Sequence, residues 1–462
     1  MNIISRAERQ FLRRHLSTVR HVTLDPDGPG VLRLHLLPRR HSLSAVPYVA
    51  ILNGRDILPL SVSWAILLTC LIEALQPLEG QIIDDSQWAE RKAAAVRETQ
   101  TVYSHVSAVQ IAADLDAMLQ SFHAMARGEA PLAAVQPIRL GDYAPHMTAP
   151  HRMDLLVSSM VKDGAWHCNQ KCLHCYAANQ PLAEASELDT DQWLAVLQKC
   201  RTAGISQVTF TGGEPTLRHD LVQLVRAAQW FVTRLNTNGR MLTSALCREL
   251  REASLDAVQI TLYSADADTH NALVGAPGFA DTVAGIRNAV EAGLNVSINT
   301  PLCSLNRDYR ATLELAHSLG VRYVTCSGLI PAGCARTEPS LATRLSAEDL
   351  TDLLRDAMSF VRAHEMEISF TSPGWLPEKT LLDLGFTEVP SCGACLSNMA
   401  IAPDGTMLPC QSWLSGKGLG NLLHTPWHRI WDHPACRRIR AQSARMEQRC
   451  PLSTLPEQEV RV

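Results

Sequence analysis

The sequence predicts an α/β protein: a partial (β/α)6 TIM-like barrel, preceded by a winged-helix-like α+β domain and followed by a small cysteine-rich extension. Three observations carry this. Strand and helix patterns alternate six times within residues 153–365, the first 145 residues set strands before helices, and 366–462 lose the alternation while gathering five of the fourteen cysteines. At 462 residues the chain is long enough for two or three domains, and 46% hydrophobic with 19% charged residues describes folded, core-bearing units. A formal charge of -4 with no Lys/Arg-rich tract argues against a nucleic-acid partner. Met1 to Leu12 carry Arg6, Glu8 and Arg9 where a signal peptide needs an apolar run, and the most apolar stretch, Trp64 to Leu75, is too short to cross a bilayer and contains Glu73. No membrane partner and a cytoplasmic setting are expected, with the cysteines reduced and available as ligands.

In the first domain, Arg20–Leu24, Gly30–Leu37 and Pro47–Ile57 read as three strands, the first two separated by an Asp25-Pro26-Asp27-Gly28-Pro29-Gly30 turn. Helical patterns follow at 62–76, 86–103 and 106–127, the last with Val109, Ala112, Leu115, Leu119 and Phe122 on one face. Residues 128–150, with four prolines, read as a linker. From Met153, strands are predicted at 154–160, 206–211, 231–237, 257–263, 295–300 and 321–327, with helix starts at Thr190 and Ser346. Six parallel strands with right-handed crossovers follow, and ligands in such sheets sit at the carboxyl ends of the strands.

Just after the first barrel strand comes Cys168-Asn169-Gln170-Lys171-Cys172-Leu173-His174-Cys175. Three thiols within eight residues converge on one point, which means a metal or cluster. Closed structural sites take four ligands, so three thiolates on a four-iron cluster leave one iron open to a cofactor or substrate. The second strand ends Gly212-Gly213-Glu214-Pro215, where two glycines let a ligand approach the backbone and Glu214 offers a negative end for an ammonium group.

Together these residues resemble the radical S-adenosylmethionine (SAM) superfamily, over about residues 153–340. The resemblance implies a [4Fe-4S] cluster on Cys168, Cys172 and Cys175, with its open iron chelated by the methionine end of SAM and a 5'-deoxyadenosyl radical as the hydrogen abstractor. It implies that Gly212, Gly213 and Glu214 orient the SAM amino group, that His174 stands where the family usually places an aromatic residue against the adenine, and that Leu329 joins the adenine floor. Ser264 and Asn299, at the ends of the fourth and fifth strands, are candidates for the ribose and carboxylate, the alternative being that they cap strands or helices.

Further on, Cys392-Gly393-Ala394-Cys395, Asp404-Gly405 and Pro409-Cys410 give a Cys-x9-Gly-x4-Cys spacing that resembles the SPASM or twitch extension, an auxiliary iron-sulfur hairpin. The chain departs from the fuller SPASM pattern, having no cysteine after Cys450, so one auxiliary cluster is expected, on Cys392 or Cys395, Cys410 and one or both of Cys436 and Cys450. A structural zinc in the same place is the alternative.

Cys303, Cys326 and Cys334 lie at or beyond the ends of the fifth and sixth strands and are candidate hydrogen-atom donors to a substrate radical; as ordinary residues they would be small buried apolar groups. Cys70, Cys200, Cys247, Trp166 and Trp193 read as packing.

By element order, size and position alone, the first domain is similar to the peptide-recognition domain fused to enzymes that modify ribosomally made peptides, in which a leader segment adds a strand to the sheet edge. A structural extension is the other reading. The combined expectation is a radical SAM maturase acting on a precursor peptide, reduced by a partner such as flavodoxin or ferredoxin, and making a thioether or carbon-carbon crosslink or an epimerised residue. A small-molecule dehydrogenase or rearrangement enzyme, and a noncatalytic iron-sulfur or zinc scaffold, are the alternatives.

Overall fold

The computed structural model describes residues 4–24, 32–39, 48–79, 81–131, 136–445 and 450–453. The predicted turn at Asp25–Gly30 and residues 132–135 of the predicted linker lie outside them. Backbone contacts divide the chain into two units, one of residues 1–151 with 201–206 and 230–232, the other holding the remainder.

The first unit opens with a helix that the strand-first reading omitted. α1 (Arg6–His15) is started by a capping box, in which Glu8 N–H donates to the Ser5 hydroxyl and Ser5 N–H donates back to the Glu8 carboxylate. That Ser-x-x-Glu spacing was a legible signal. A four-stranded antiparallel sheet follows in the order β1 (Arg20–Leu24), β2 (Leu32–Leu37), β3 (Tyr48–Leu52), β4 (Asp56–Leu60). The stretch expected to be one third strand is therefore two. Asn53 (φ 50°) and Gly54 (φ 70°), two of the three residues between them, turn the chain back through the left-handed region. Helices α2 (Val62–Leu75), α3 (Asp85–Val102) and α4 (Ala108–Ala126) cover one face, where Leu32, Leu34 and Leu36 join Ile66, Leu115 and Phe122 in the core. Val109, expected on the buried face of α4, is exposed.

In the second unit, β5 (Arg152–Ser158) leads through a small hairpin, β6 (Val161–Lys162) and β7 (Ala165–Trp166), into the cysteine loop. Parallel strands β8 (Gln207–Gly212), β9 (Val232–Thr237), β10 (Ala257–Thr261), β11 (Asn295–Pro301) and β12 (Tyr323–Ser327) follow within two residues of their predicted positions. The repeat does not stop there. β13 (Glu367–Phe370) pairs parallel with β12 as a seventh strand, which corrects the expectation that 366 onward lies outside the repeat. At the other edge the hairpin β14 (Asn398–Ile401) and β15 (Met407–Leu408) joins the same sheet, β14 running parallel to β5. Its turn is the expected one: Gly405 has φ 86° and donates to the Ala402 carbonyl, while Asp404 Oδ1 accepts Thr406 N–H.

The strands alternate. Gln259 and Thr261, Thr325 and Ser327 point into a central cavity, whereas Val258, Ile260, Val324 and Cys326 are buried on the opposite face.

Candidate functional site: two thiol groups on one polar cavity

A cavity of about 780 Å³ occupies the second unit. Cys168, Cys172 and Cys175 line it, as do Cys392, Cys410 and Cys450. The first trio is held by backbone on both flanks. Lys171 and Leu173 N–H donate to the carbonyls of Val274 and Leu273, and Cys175 carbonyl accepts Cys334 N–H. Asn169 is clamped from the turn after β9, its carbonyl accepting from Arg240 (2.7 Å) and its amide oxygen from Asn238 (2.6 Å).

All three thiols are pushed up from the ordinary cysteine range, Cys168 to about 12, first by burial and then by like-charge repulsion from one another and from neighbouring acids or thiols. Such thiols stay protonated until a cationic group takes the place of the protons, which is the chemistry expected of iron. No three His, Cys, Asp or Glu groups among the described residues close around a single metal ion. Thiolates of a four-iron cluster each bind a separate corner, and three cysteines of one loop lining one cavity suit such a cluster.

At the end of β8 the glycines meet β5. A Cβ on Gly212 (φ 136°) would lie 2.3 Å from the Ser158 carbonyl oxygen, and one on Gly213 2.9 Å from that of Ser159. Gly213 carbonyl accepts the Cys168 thiol at 3.4 Å. Glu214, 1% exposed, is occupied by the protein itself: its carboxylate accepts Thr216 N–H and hydroxyl, the Thr237 hydroxyl and Asn238 N–H, at 3.0, 2.5, 2.7 and 2.8 Å. Burial raises its pKa and those hydrogen bonds oppose the rise. The residue fastens the end of β8 to the end of β9, a tie not anticipated when it was read as a partner for an ammonium group. Below it, Arg218 grips Asp220 through two bonds of 2.9 and 2.7 Å and the Val157 carbonyl at 2.9 Å.

His174 lines the cavity, bonded to the Thr343 hydroxyl at 2.8 Å, and burial lowers its pKa to about 4, so its ring is neutral near pH 7. Leu329 and Asn299 line it too, Asn299 accepting from Thr325 at 2.9 Å. Ser264 does not; its hydroxyl accepts Asp266 N–H and shapes a turn.

None of the three candidate hydrogen donors lines the cavity. Strand alternation aims Cys326 at the outer layer, where its thiol faces the Ser369 carbonyl at 3.9 Å. Cys303, wholly buried, packs with Tyr263, Leu273 and Leu329. Cys334 accepts from Asn179 at 3.4 Å behind the loop.

The second thiol group splits. Cys392, Cys410 and Cys450 open on the cavity, and Cys392 and Cys450 are the charges that most raise Cys410 after burial. Cys395, wholly buried with φ 55°, sits instead against Cys436. Hydrogen bonding from Cys395 lowers the Cys436 pKa, helped by Arg440, which donates to the Cys436 sulfur at 3.4 Å and lies 3.8 Å from the Trp431 ring centre.

Two thiol groups face one cavity, Cys168, Cys172 and Cys175 beyond the carboxyl ends of the parallel strands and Cys392 and Cys410 beside the amino ends of β14 and β5, and together they define an iron-sulfur enzyme site. Residues 167–316 match the model of the radical SAM superfamily, and residues 392–452 that of SPASM, an iron-sulfur cluster-binding domain. The chain is a radical SAM enzyme carrying a SPASM domain. It is 29% identical over 281 residues to the PqqA peptide cyclase of Ruegeria pomeroyi, a match spanning 59% of this chain and 71% of that protein. Among solved structures, Streptococcus suis SuiB bound to its precursor peptide SuiA superposes with a TM-score of 0.56 at 14% identity, over 86% of this chain and 88% of that one. The anSMEcpe enzyme with bound AdoMet and Kp18Cys peptide gives 0.52 at 14% identity, over 64% and 84%. At these identities the likeness concerns the fold. No helix among the described residues is long and apolar enough to cross a membrane.

Proposed function

We propose that the enzyme modifies a ribosomally made precursor peptide by hydrogen abstraction, forming a crosslink. The observation that carries this reading is the cavity of about 780 Å³ onto which both thiol groups open, large enough for a peptide segment beside the cofactor. The similarity to a PqqA peptide cyclase, and the fold shared with SuiB bound to SuiA, support a peptide as the substrate. When bound, the cluster with SAM supplies a carbon-centred radical able to take hydrogen from an unactivated C–H.

The protein's part is placement. Asn238 and Arg240 fix the cysteine loop, Glu214 fixes the strand ends under it, and Gly212 and Gly213 let β5 and β8 close tightly beside Cys168. In this reading Gly212, Gly213, Glu214, His174, Asn299 and Leu329 surround SAM, and Cys392, Cys410 and Cys450 hold the auxiliary cluster, with Cys395 or Cys436 completing the set. The antiparallel sheet of the first unit would take the leader as an added strand, and a cytoplasmic flavodoxin or ferredoxin would supply the electron.

The test is anaerobic iron reconstitution, reduction with dithionite in the presence of SAM, and measurement of 5'-deoxyadenosine, followed by mass spectrometry of a small peptide encoded beside the gene and co-expressed with the enzyme. C172A should reduce 5'-deoxyadenosine to the background without enzyme. Its persistence would refute the ligand assignment, and an unmodified peptide alongside active SAM cleavage would turn the reading toward a small-molecule substrate.

A further inference from the structure

Among the described residues, one cation on the inner face of the barrel forms no salt bridge. Arg234, on β9, lines the cavity, yet among the described residues no carboxylate stands within ion-pair distance of its guanidinium. Burial and then the charge of Arg152 lower its pKa, while Tyr323 and then Asp154 of β5 oppose the fall. Asp154 is already taken: Arg152 Nε lies 3.0 Å from one of its oxygens and Nη2 3.4 Å from the other. The remaining inward groups nearby are neutral and satisfy one another, Tyr323 donating to Ser369 at 3.1 Å and Gln259 to Thr325 at 3.2 Å.

Glu214, the other buried acid of the cavity, is spent on its four donors at the far end of the strand. A guanidinium cannot shed its proton to relieve partial burial, so Arg234 stays charged on the cavity wall and open to an anion. Its planar fork suits one class of partner above others, a carboxylate held by two parallel bonds.

We infer that Arg234, with Arg152 beside it, is the recognition site for an acidic side chain, aspartate or glutamate, of the substrate peptide. This rests on the peptide reading above. The methionine carboxylate of SAM is the competing anion, but position separates the two. Arg234 precedes Thr237, at the strand end where Glu214 is bound, by three residues, a distance of about 10 Å along the strand and away from the cysteine loop. An acidic residue seated there would hold the peptide deep in the lumen with its neighbouring residues nearer the radical, so Arg234 is a positioning and specificity residue.

The experiment uses full-length, iron-reconstituted enzyme under anaerobic conditions with SAM. It is panned against a display library of random peptides, and the frequency of Asp and Glu in recovered sequences is compared with the input. Wild type should enrich acidic residues several-fold. R234Q should return them to input frequency, R234K should keep part of the enrichment, and R234E should favour Lys and Arg instead. For a synthetic peptide drawn from the wild-type pool, R234Q should weaken binding about 10- to 100-fold, the worth of one charged hydrogen-bonded pair. Iron content and melting temperature of R234Q equal to wild type would verify that the fold survives.

Acidic enrichment that is the same in wild type and R234Q would overturn the inference and leave the peptide reading standing, as would a loss of SAM affinity in R234Q with peptide selection unchanged. Failure of wild type to enrich any peptide would overturn the peptide reading, and this inference with it.

Discussion

Strands β2 and β3 of the antiparallel sheet and β9 of the larger parallel one reverse the usual pattern. Antiparallel sheets commonly show one wet face and alternate along each strand, while parallel strands, covered on both sides, read as continuous apolar runs. Here the antiparallel β2 and β3 are buried at every residue, whereas the parallel β9 alternates, Thr233, Leu235 and Thr237 buried and Val232, Arg234 and Asn236 less so. In β2 the helix side takes Leu32, Leu34 and Leu36, and the other side takes Arg33, His35 and Leu37, with Trp230 against His35. A sheet covered on both faces is a scaffold. The parallel sheet keeps one polar face because that face is the wall of a container, and the container is where the thiols and Arg234 are found.

That difference can be broken from either side. L34A deletes a wholly buried side chain from the scaffold and should cost about 4 kcal/mol, while leaving iron uptake by the folded protein at wild-type stoichiometry. Urea unfolding and iron analysis together check it; loss of iron from still-folded protein would contradict the separation. G212A attacks the container, because a Cβ there would stand 2.3 Å from the Ser158 carbonyl in a backbone region suited to glycine. About 3 kcal/mol is expected, with iron content falling as the end of β8 is forced away from Cys168. Unchanged iron and melting temperature would show that β5 and β8 part without consequence.

Both regions bury histidine, and the scaffold's gives a pH test. His35 is wholly buried, with one ring nitrogen on the Trp230 carbonyl (3.0 Å) and the other unpaired. Burial is the main cause that lowers its pKa to about 3, and the charge of Arg33 adds to the fall. An unfolded chain takes the proton near pH 6.5 and the folded one only near 3, so this stability is complete above pH 6.5 and lost progressively as pH falls through that window. Between pH 6.5 and 5 the loss should be about 2 kcal/mol. Urea midpoints across that range should flatten in H35Q; an equal slope would assign the acid sensitivity elsewhere.

Much of this was written in the chain. Three cysteines in eight residues and a Gly-Gly-Glu-Pro strand end specify a cluster loop and its neighbour, because local spacing fixes what such short segments can do. The barrel strands were legible from their alternation with helices, and the hairpin from Asp404-Gly405. What escaped depended on direction or on distant partners. Cys326 was placed on the right strand but the wrong face, although the period of two in Thr325-Cys326-Ser327 carried the answer. The same period would have nominated Arg152, Asp154 and Arg234. Pairing Cys395 with Cys436 rather than with the cavity needs the fold of residues 398–436 to bring them together, and no spacing announces it. β13 was lost because four residues are too few to show a pattern.

The smallest effect concerns hydroxyls, and it should differ in sign between the regions. Thr325, on the lumen face of β12, donates to Asn299 Oδ1 at 2.9 Å and accepts Gln259 Nε2 at 3.2 Å. Valine in its place keeps the shape and removes both bonds. The two amides it abandons face a polar cavity that water can enter, so the cost should be about 1 kcal/mol rather than the larger penalty of an unmet buried group. Thr69, in α2 of the scaffold, is as buried, but its hydroxyl donates only to the Ala65 carbonyl at 2.7 Å, an oxygen within the helix ladder. T69V strands no partner and adds an apolar methyl to an apolar core, so it should be neutral or stabilising. Equal losses for T325V and T69V in urea unfolding would mean that the lumen is no wetter than the core, and the distinction between container and scaffold would fail at its most local level.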